Sequence, residues 1–97
     1  MKYLEVLKYL YDKRPKSVHY AELTSVIYSS DVISKYSHHR NKRTIIDGMT
    51  CRYLGKLARK DLIQAQYNCI EKTNISYFVG YYLRPNGIKL LKDKKII

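Results

Sequence analysis

The strongest constraint on the fold is a helical pattern of apolar residues in the segment 44–63. Core-type side chains recur there at steps of three and four residues and would line one side of a helix: Ile46, Thr50, Leu54 and Leu57, widened by Met49, Tyr53 and Ala58. We therefore predict a helix over residues 44–60. Thr44 is its expected N-cap, and Asp47 falls in the first turn, where the helix dipole favours a carboxylate. Asp61 is expected to end the helix in the left-handed conformation.

The opposite side of this helix is small and basic, since it carries Gly48, Arg52, Gly55 and Arg59, with Cys51 and Lys56 beside them. Each glycine costs a helix interior about 1 kcal/mol relative to alanine. Core packing cannot explain glycines on an outward side, whereas the close approach of a groove wall or a partner helix can. A helix of this kind that leads directly into a strand is typical of a DNA recognition helix. A solvated basic face is the alternative interpretation.

Composition limits the chain to a single domain over residues 1–97, because this length builds one modest core. The formal net charge is +11, and residues 35–60 carry eight basic residues against one acidic residue. A cluster of that sign favours a polyanion by steering and by counterion release. The sequence has no apolar run of membrane-spanning length and no signal-peptide pattern. We therefore expect a cytoplasmic protein with no membrane partner.

The residue types needed for catalysis or metal binding do not occur in useful arrangements. There is no nucleophile–base pair, carboxylate pair or phosphate-binding loop, and His38-His39 lacks the spacing of metal ligands. We therefore expect no enzymatic activity, no metal and no cofactor, and no small-molecule effector can be identified. Two cysteines are too few for a disulfide framework. We expect free thiols, with Cys51 the more accessible on the outward side of the central helix and Cys69 buried in a strand.

The segments before the central helix predict further helices. Apolar periodicity predicts a first helix over residues 3–13, and Ser17 is the expected N-cap of a second helix over residues 18–28. Asp31 is expected to cap a short third helix, and residues 37–43 to form a polar, basic connection. Within that connection we expect a phosphate-facing cluster at the start of the central helix, made by Arg40, Lys42 and Arg43.

Beyond residue 62 the pattern changes to the two-residue period of β-strands. Residues 63–69 and 77–83 alternate in this way around a turn composition at residues 71–74, which predicts an antiparallel hairpin. Strict alternation in the second strand places Phe78 on the side opposite Tyr81. Pro85 is expected at the first position of a last helix, where its missing N–H costs nothing.

The first helix carries two adjacent apolar lines instead of one. A helix that is apolar over so much of its circumference usually packs against a second partner. We therefore expect a homodimer through the first helix and the last. The expected interface residues on the first helix are Tyr3, Leu4, Val6, Leu7, Leu10 and Tyr11.

The order helix, helix, basic connection, helix, hairpin, helix resembles the winged helix-turn-helix transcription regulators of the MarR- and PadR-like families. Residues 50–57 and 61–63 (TCRYLGKL and DLI) resemble a recognition helix and its entry into the wing. Residues 81–91 (YYLRPNGIKLL) resemble the strand that leaves the wing and begins the last helix. The chain departs from the family at Asp61, where Gly is usual, and at Arg84, where Thr is usual. It is also similar to small winged-helix proteins encoded by viruses of thermophilic archaea, which act in the host cytoplasm.

This resemblance implies an α+β winged helix-turn-helix with a three-helix core, a two-stranded antiparallel wing and a C-terminal helix. It implies a transcription regulator that binds specific sequences of double-stranded DNA as a homodimer. The recognition helix, at about residues 44–60, would enter the major groove, and the wing, at about residues 63–83, would lie on the adjacent backbone. Besides the cluster before the central helix, the expected DNA-binding residues are Cys51, Arg52, Lys56, Arg59 and Lys72. The alternative function is a winged-helix protein-interaction module without specific DNA binding.

Overall fold

The computed structural model describes residues 2–40 and 43–97 and shows an α+β chain. In chain order its elements are α1 (Lys2–Lys13), α2 (Tyr20–Ile27), α3 (Ser30–Lys35), β1 (His39–Arg40), β2 (Arg43–Thr44), α4 (Ile45–Arg59), β3 (Ile63–Cys69), β4 (Ser76–Leu83) and α5 (Pro85–Asp93). The predicted α+β class is confirmed, and the order of elements is compatible with a winged-helix layout. Within these described ranges, no helix has the length and apolar character needed to cross a bilayer.

The core is formed by the helices α1, α2, α4 and α5 together with the inner ends of β3 and β4. Its most completely buried side chains are Val6, Leu7, Leu10, Leu23, Leu54, Ile63 and Leu91. The predicted stripe of the central helix is confirmed, because the buried residues of α4 are Ile46, Thr50, Leu54 and Leu57. Burial of this stripe fixes which side of α4 faces outward.

A pair of buried hydroxyl groups joins α2 to α4. Thr24 and Thr50 are 7% and 0% exposed, and their Oγ1 atoms lie 3.0 Å apart. Each hydroxyl also lies within hydrogen-bonding distance of a carbonyl oxygen of its own helix, Tyr20 O at 3.1 Å and Ile46 O at 2.9 Å. A buried hydroxyl costs free energy unless it is hydrogen-bonded. The pair therefore favours one alignment of the two helices.

Both predicted ends of α4 are confirmed. Thr44 Oγ1 accepts a hydrogen bond from the Asp47 N–H at 3.2 Å, and Asp61 has a φ of 60°. The Asp61 carboxylate accepts hydrogen bonds from Arg84 Nε at 3.2 Å and from Asn86 Nδ2 at 2.9 Å. Asp61 and Arg84 are the two departures from the winged-helix pattern, and they contact each other. Arg84 makes no side-chain cap for α5, and instead it links the end of α4 to the start of α5.

The predicted antiparallel hairpin is confirmed as β3 and β4, but one residue of β4 bulges. Ala65 pairs with Tyr81 and Tyr67 pairs with Phe78, so β4 has one more residue than β3 between these two pairs. Because Ala65 and Tyr67 lie on the same face of β3, their partners Tyr81 and Phe78 also share a face. Strict alternation therefore placed Phe78 on the wrong side. The two rings are in edge contact with centroids 5.3 Å apart.

The start of the second helix differs from its prediction. Val18 is paired with Tyr81 of β4 through backbone hydrogen bonds of 2.8 Å in both directions, so it is extended. The helix begins two residues later, at Tyr20, and its N-cap is His19, whose Nδ1 accepts a hydrogen bond from the Ala21 N–H at 3.1 Å. Ser17 is therefore not the N-cap. Tertiary pairing with β4 overrides the local capping preference of this serine.

The segment between α2 and α4 is more ordered than predicted. The N-cap of α3 is Ser29, whose Oγ accepts a hydrogen bond from the Val32 N–H at 3.4 Å, and Asp31 lies in the first turn instead of capping the helix. The expected polar, basic connection contains the two-residue strand β1 and the first residue of β2, and this pair of strands joins His39 with Thr44. This short ladder leads the chain directly into the N-terminus of α4.

Half of the predicted dimer interface on α1 is wrong. Val6, Leu7 and Leu10 are 0%, 0% and 1% exposed within the single chain, so they cannot contact a partner subunit. Two apolar lines are needed because α1 packs against α2, β4 and α5 together. The other three predicted interface residues are partly exposed: Tyr3, Leu4 and Tyr11.

The order of thiol exposure is the reverse of the expected one. Cys69 is exposed at the outer end of β3, whereas Cys51 is half-buried on α4. The side of β3 that is buried at Ile63 is open to solvent at Cys69, because the hairpin extends beyond the core. The two cysteines do not form a disulfide with each other.

Gly87 in α5 provides a test of this packing. A Cβ atom there would lie 2.5 Å from the Leu62 carbonyl oxygen and 2.6 Å from Leu83 Cδ1. We expect Gly87→Ala to lower the free energy of unfolding by about 1–3 kcal/mol in urea denaturation, because the crowded atom is backbone. The control Gly55→Ala adds the same methyl group where the nearest atom is Arg59 Nη2 at 3.9 Å. It should raise that free energy by about 1 kcal/mol, and equal effects of the two variants would contradict the structure.

The exposure of the cysteines predicts their order of reaction. An alkylating reagent added under native conditions should label Cys69 first, because access to the thiol limits the rate. Cys69→Ser should remove the fast phase of labelling, and Cys51→Ser should leave it in place. The measurement is intact mass against time. Faster labelling of Cys51 would contradict the order of exposure of the two thiols.

Candidate nucleic-acid interface

The outward side of α4 presents the predicted basic residues together. Arg52, Lys56 and Arg59 are exposed, and their spacing of four and three residues places them on one side of the helix, opposite the buried stripe. Gly48 and Gly55 lie on the same side and are partly exposed. The N-terminus of α4 faces the β1–β2 ladder, and its C-terminus leads into β3. The predicted recognition helix therefore carries its basic residues on a single solvent-exposed side.

No carboxylate neutralises this surface within the described part of the chain. The ion pairs found there are Lys2 with Glu5 at 3.7 Å, Lys8 with Asp12 at 2.6 Å and Arg84 with Asp61 at 3.2 Å. None of them includes a basic residue of α4. Exposed cations without internal partners remain available for an external anion, and their field is screened only by salt.

Gly55 leaves the backbone in the middle of this surface without a side chain. The nearest atom to the position where its Cβ would be is Arg59 Nη2, at 3.9 Å. The Arg59 side chain thus folds back along the helix beside the bare backbone of Gly55. A flat backbone patch bordered by guanidinium groups allows another surface to come close to the helix axis.

Tyr28, at the end of α2, belongs to this site, although the sequence did not single it out. Burial raises the pKa of the Tyr28 phenol, and the charge of Arg52 offsets part of that rise, so the two groups are neighbours. They border a hollow of about 210 Å³ that Met49, Tyr53 and Lys56 also line. A phenol that donates and accepts hydrogen bonds beside a guanidinium is suited to a phosphate or a base edge. Tyr28 was not recognisable because ten other tyrosines share its composition signal.

Cys51 lies on the flank of α4 that faces the β3–β4 hairpin, and not at the centre of the outward side. It is half-buried and close to Tyr81, whose pKa is raised first by burial and then by Cys51 and Tyr67. The predicted contact of Cys51 with DNA bases remains a prediction. Its position between α4 and the hairpin makes it a less direct candidate than Arg52.

The basic cluster predicted before α4 is only partly described. The backbones of Arg40 and Arg43 are paired in the β1–β2 ladder, and Arg43 immediately precedes the N-cap of α4. Lys42 lies outside the described residues. The backbone thus brings two of the three predicted positions to the N-terminal end of α4, where the helix dipole also favours an anion.

Lys72 occupies the tip of the β3–β4 hairpin, as predicted. It is exposed and has a φ of 64°, and Thr73 holds the turn through hydrogen bonds to Ile70 O at 2.8 Å and from the Ile75 N–H at 3.2 Å. However, Glu71 and Lys72 are the only charged residues between positions 63 and 83. The hairpin is therefore neutral, and the positive charge of the chain lies elsewhere.

Similarity to known proteins adds nothing to this geometry. Comparisons with protein-family models, with curated proteins and with solved structures found no match to the chain.

Proposed function

We propose that this chain is a winged helix-turn-helix regulator that binds specific sequences of double-stranded DNA, with α4 in the major groove. The observation that supports the proposal most is the outward side of α4, where Arg52, Lys56 and Arg59 are exposed beside Gly55 and have no described ion-pair partner. The major groove of B-DNA admits an α-helix, and guanidinium groups recognise guanine there. Membership in a MarR- or PadR-like family is part of the same proposal.

The other elements have supporting roles in this arrangement. The β1–β2 ladder, with Arg40 and Arg43, lies on a phosphate strand at the N-terminal end of α4. Tyr28 orients Arg52 toward the base edges, and the hairpin, which serves as the wing, contributes Lys72 to the adjacent backbone. Since Lys72 is the only basic residue of the wing, most of the salt dependence of binding comes from α4 and the segment before it.

A second candidate function is a protein-interaction module. It is favoured by the apolar side chains exposed on the hairpin: Tyr67, Ile70, Ile75 and Tyr77. The salt dependence of duplex binding discriminates the two functions. A DNA-binding protein loses affinity steeply as salt rises, whereas a docking module binds no duplex at physiological salt.

The direct test of the proposal is selection of bound duplexes from a random pool. We expect enrichment of a common motif, with half-sites about one helical turn apart if two copies bind together. A pool that stays random after several rounds would overturn sequence-specific binding. Absence of any duplex retention at low salt would overturn DNA binding altogether.

Substitutions at Arg52 and Lys72 should have different effects on DNA affinity. Arg52→Ala should remove discrimination between cognate and unrelated duplexes, because a bidentate arginine–guanine contact contributes about 1–3 kcal/mol. Lys72→Ala should weaken all duplexes alike and reduce the salt slope by about one, as expected for a phosphate contact. Fluorescence anisotropy titrations over a salt series measure both effects. Lys89→Ala, at an exposed position of α5, is the control for removal of one charge. The opposite assignment of the two effects would reverse the proposed groove contacts.

Gly55→Ala separates DNA binding from stability. The added methyl group stabilises α4 by about 1 kcal/mol, but it stands on the surface that would approach the groove. We expect affinity for the selected duplex to fall about tenfold, which corresponds to 1.4 kcal/mol. Because the variant is more stable than the parent, unfolding cannot explain such a loss. Unchanged affinity would show that the helix does not approach DNA at Gly55.

A further inference from the structure

The outer half of the β3–β4 hairpin carries four of the five large hydrophobic side chains that are exposed in the described part of the chain. The exposed large side chains there are Tyr67 at 61%, Ile70 at 47%, Ile75 at 61% and Tyr77 at 50%. Ile70 and Ile75 are joined by a backbone hydrogen bond of 2.9 Å, so they lie side by side across the hairpin. Ile70, Ile75 and Tyr77 share one face of the hairpin, and Tyr67 lies on the other. Exposed apolar residues grouped in this way mark an interaction surface.

The same hairpin has an open strand edge. In the described structure β3 pairs only with β4, while the far side of β4 pairs with Val18 through Tyr81. The β3 sequence, IQAQYNC, contains no charged residue and no proline. Natural edge strands usually carry such residues, which prevent pairing with another strand. The bulge lies in β4, so it does not protect the edge of β3 either.

The direction of the free backbone groups follows from the hydrogen bond at the hairpin end. The Ile70 N–H donates to Ile75 O, toward β4. Backbone groups alternate along a strand, so Asn68 also directs its N–H toward β4. Tyr67 and Cys69 then direct theirs away from β4, at the open edge. These groups are available to a strand from another molecule.

Charge identifies the occupant of this edge. The chain carries a net charge of +11, yet the hairpin is neutral because Glu71 and Lys72 are its only charged residues. A neutral, apolar edge offers a polyanion little attraction. Two copies of a strongly basic chain repel each other elsewhere, and the hairpin is where they can meet without like charges in contact. An isologous pairing of one strand with its own copy is also self-complementary.

We propose that the chain forms a homodimer by antiparallel pairing of β3 with β3 of a second copy. The product is a four-stranded sheet in the order β4–β3–β3–β4. Tyr67 of each copy lies on a central strand, and Ile70 follows directly after that strand. This interface replaces the one predicted on α1, half of which is buried in the core. It does not depend on DNA binding, so its test uses the protein without DNA.

Sedimentation of the full chain with reductant, over a range from one to a hundred micromolar, should show a monomer–dimer equilibrium. Asn68 lies between the two outward donors, so Asn68→Lys would place like charges opposite each other across the paired strands. It should weaken the dimer about five-fold, which corresponds to the cost of about 1 kcal/mol for such a pair. Asn74→Lys is the matched control: it makes the same replacement at an exposed residue of the turn, outside β3. A monomer at all concentrations, or equal weakening by the two variants, would overturn the proposal.

Hydrogen exchange locates the interface. In the dimer the amides of Tyr67 and Cys69 should become protected as concentration rises, whereas that of Ile70 should be protected at every concentration. Cys69→Pro removes a donor from the open edge without removing a bond to β4, so it should abolish the dimer, while Cys69→Ala should not. A dimer in which Tyr67 and Cys69 exchange rapidly would place the interface on another surface. A dimer that disappears with reductant would be a disulfide product and would also overturn the proposal.

Discussion

The burial of one side of α4 determines the orientation of every other feature of the surface. Ile46, Leu54 and Leu57 enter the core, and the hydroxyls of Thr24 and Thr50 meet at the contact with α2. The contact between the two hydroxyls favours this alignment of α2 and α4, because it adds a hydrogen bond between the helices at a buried position. The small, basic side of α4 consequently faces outward.

The hairpin is positioned by the far end of the same helix. Asp61 ends α4 in the left-handed conformation, and its carboxylate accepts hydrogen bonds from Arg84 and Asn86 at the start of α5. The Arg84 N–H donates to Leu62 O at 3.0 Å, which closes the two strands at their base. The exposed Asp61–Arg84 pair contributes little stability by itself. Its effect is geometric, since it brings the entrance and the exit of the hairpin together.

Charge divides the molecule into two surfaces with different physical chemistry. Most of the excess of basic residues lies in residues 35–60, on α4 and the segment that leads into it. The hairpin is neutral and apolar, with its open edge at β3. A polyanion and a second copy of the chain would therefore not compete for the same residues. This separation supports the two proposals independently, and either can fail without the other.

The sequence by itself determined the elements whose signals are local. The stripe from Ile46 to Leu57, the cap at Thr44, the stop at Asp61 and the alternation of β3 all depend on neighbours within a few positions, and all were predicted. The candidate site on α4 was predicted from the same periodicity, because the residues of a helix that do not belong to the buried stripe form its outward side.

Only the tertiary structure decided the features that depend on distant partners. Val18 is extended because Tyr81 pairs with it, and Phe78 shares a face with Tyr81 because β4 bulges. Val6, Leu7 and Leu10 lie in the core because three elements pack around α1. The apolar residues predicted to form a dimer interface therefore belong in part to the interior of the single chain. Periodicity reports how apolar a face is, but it does not report how many neighbours the fold supplies to cover it.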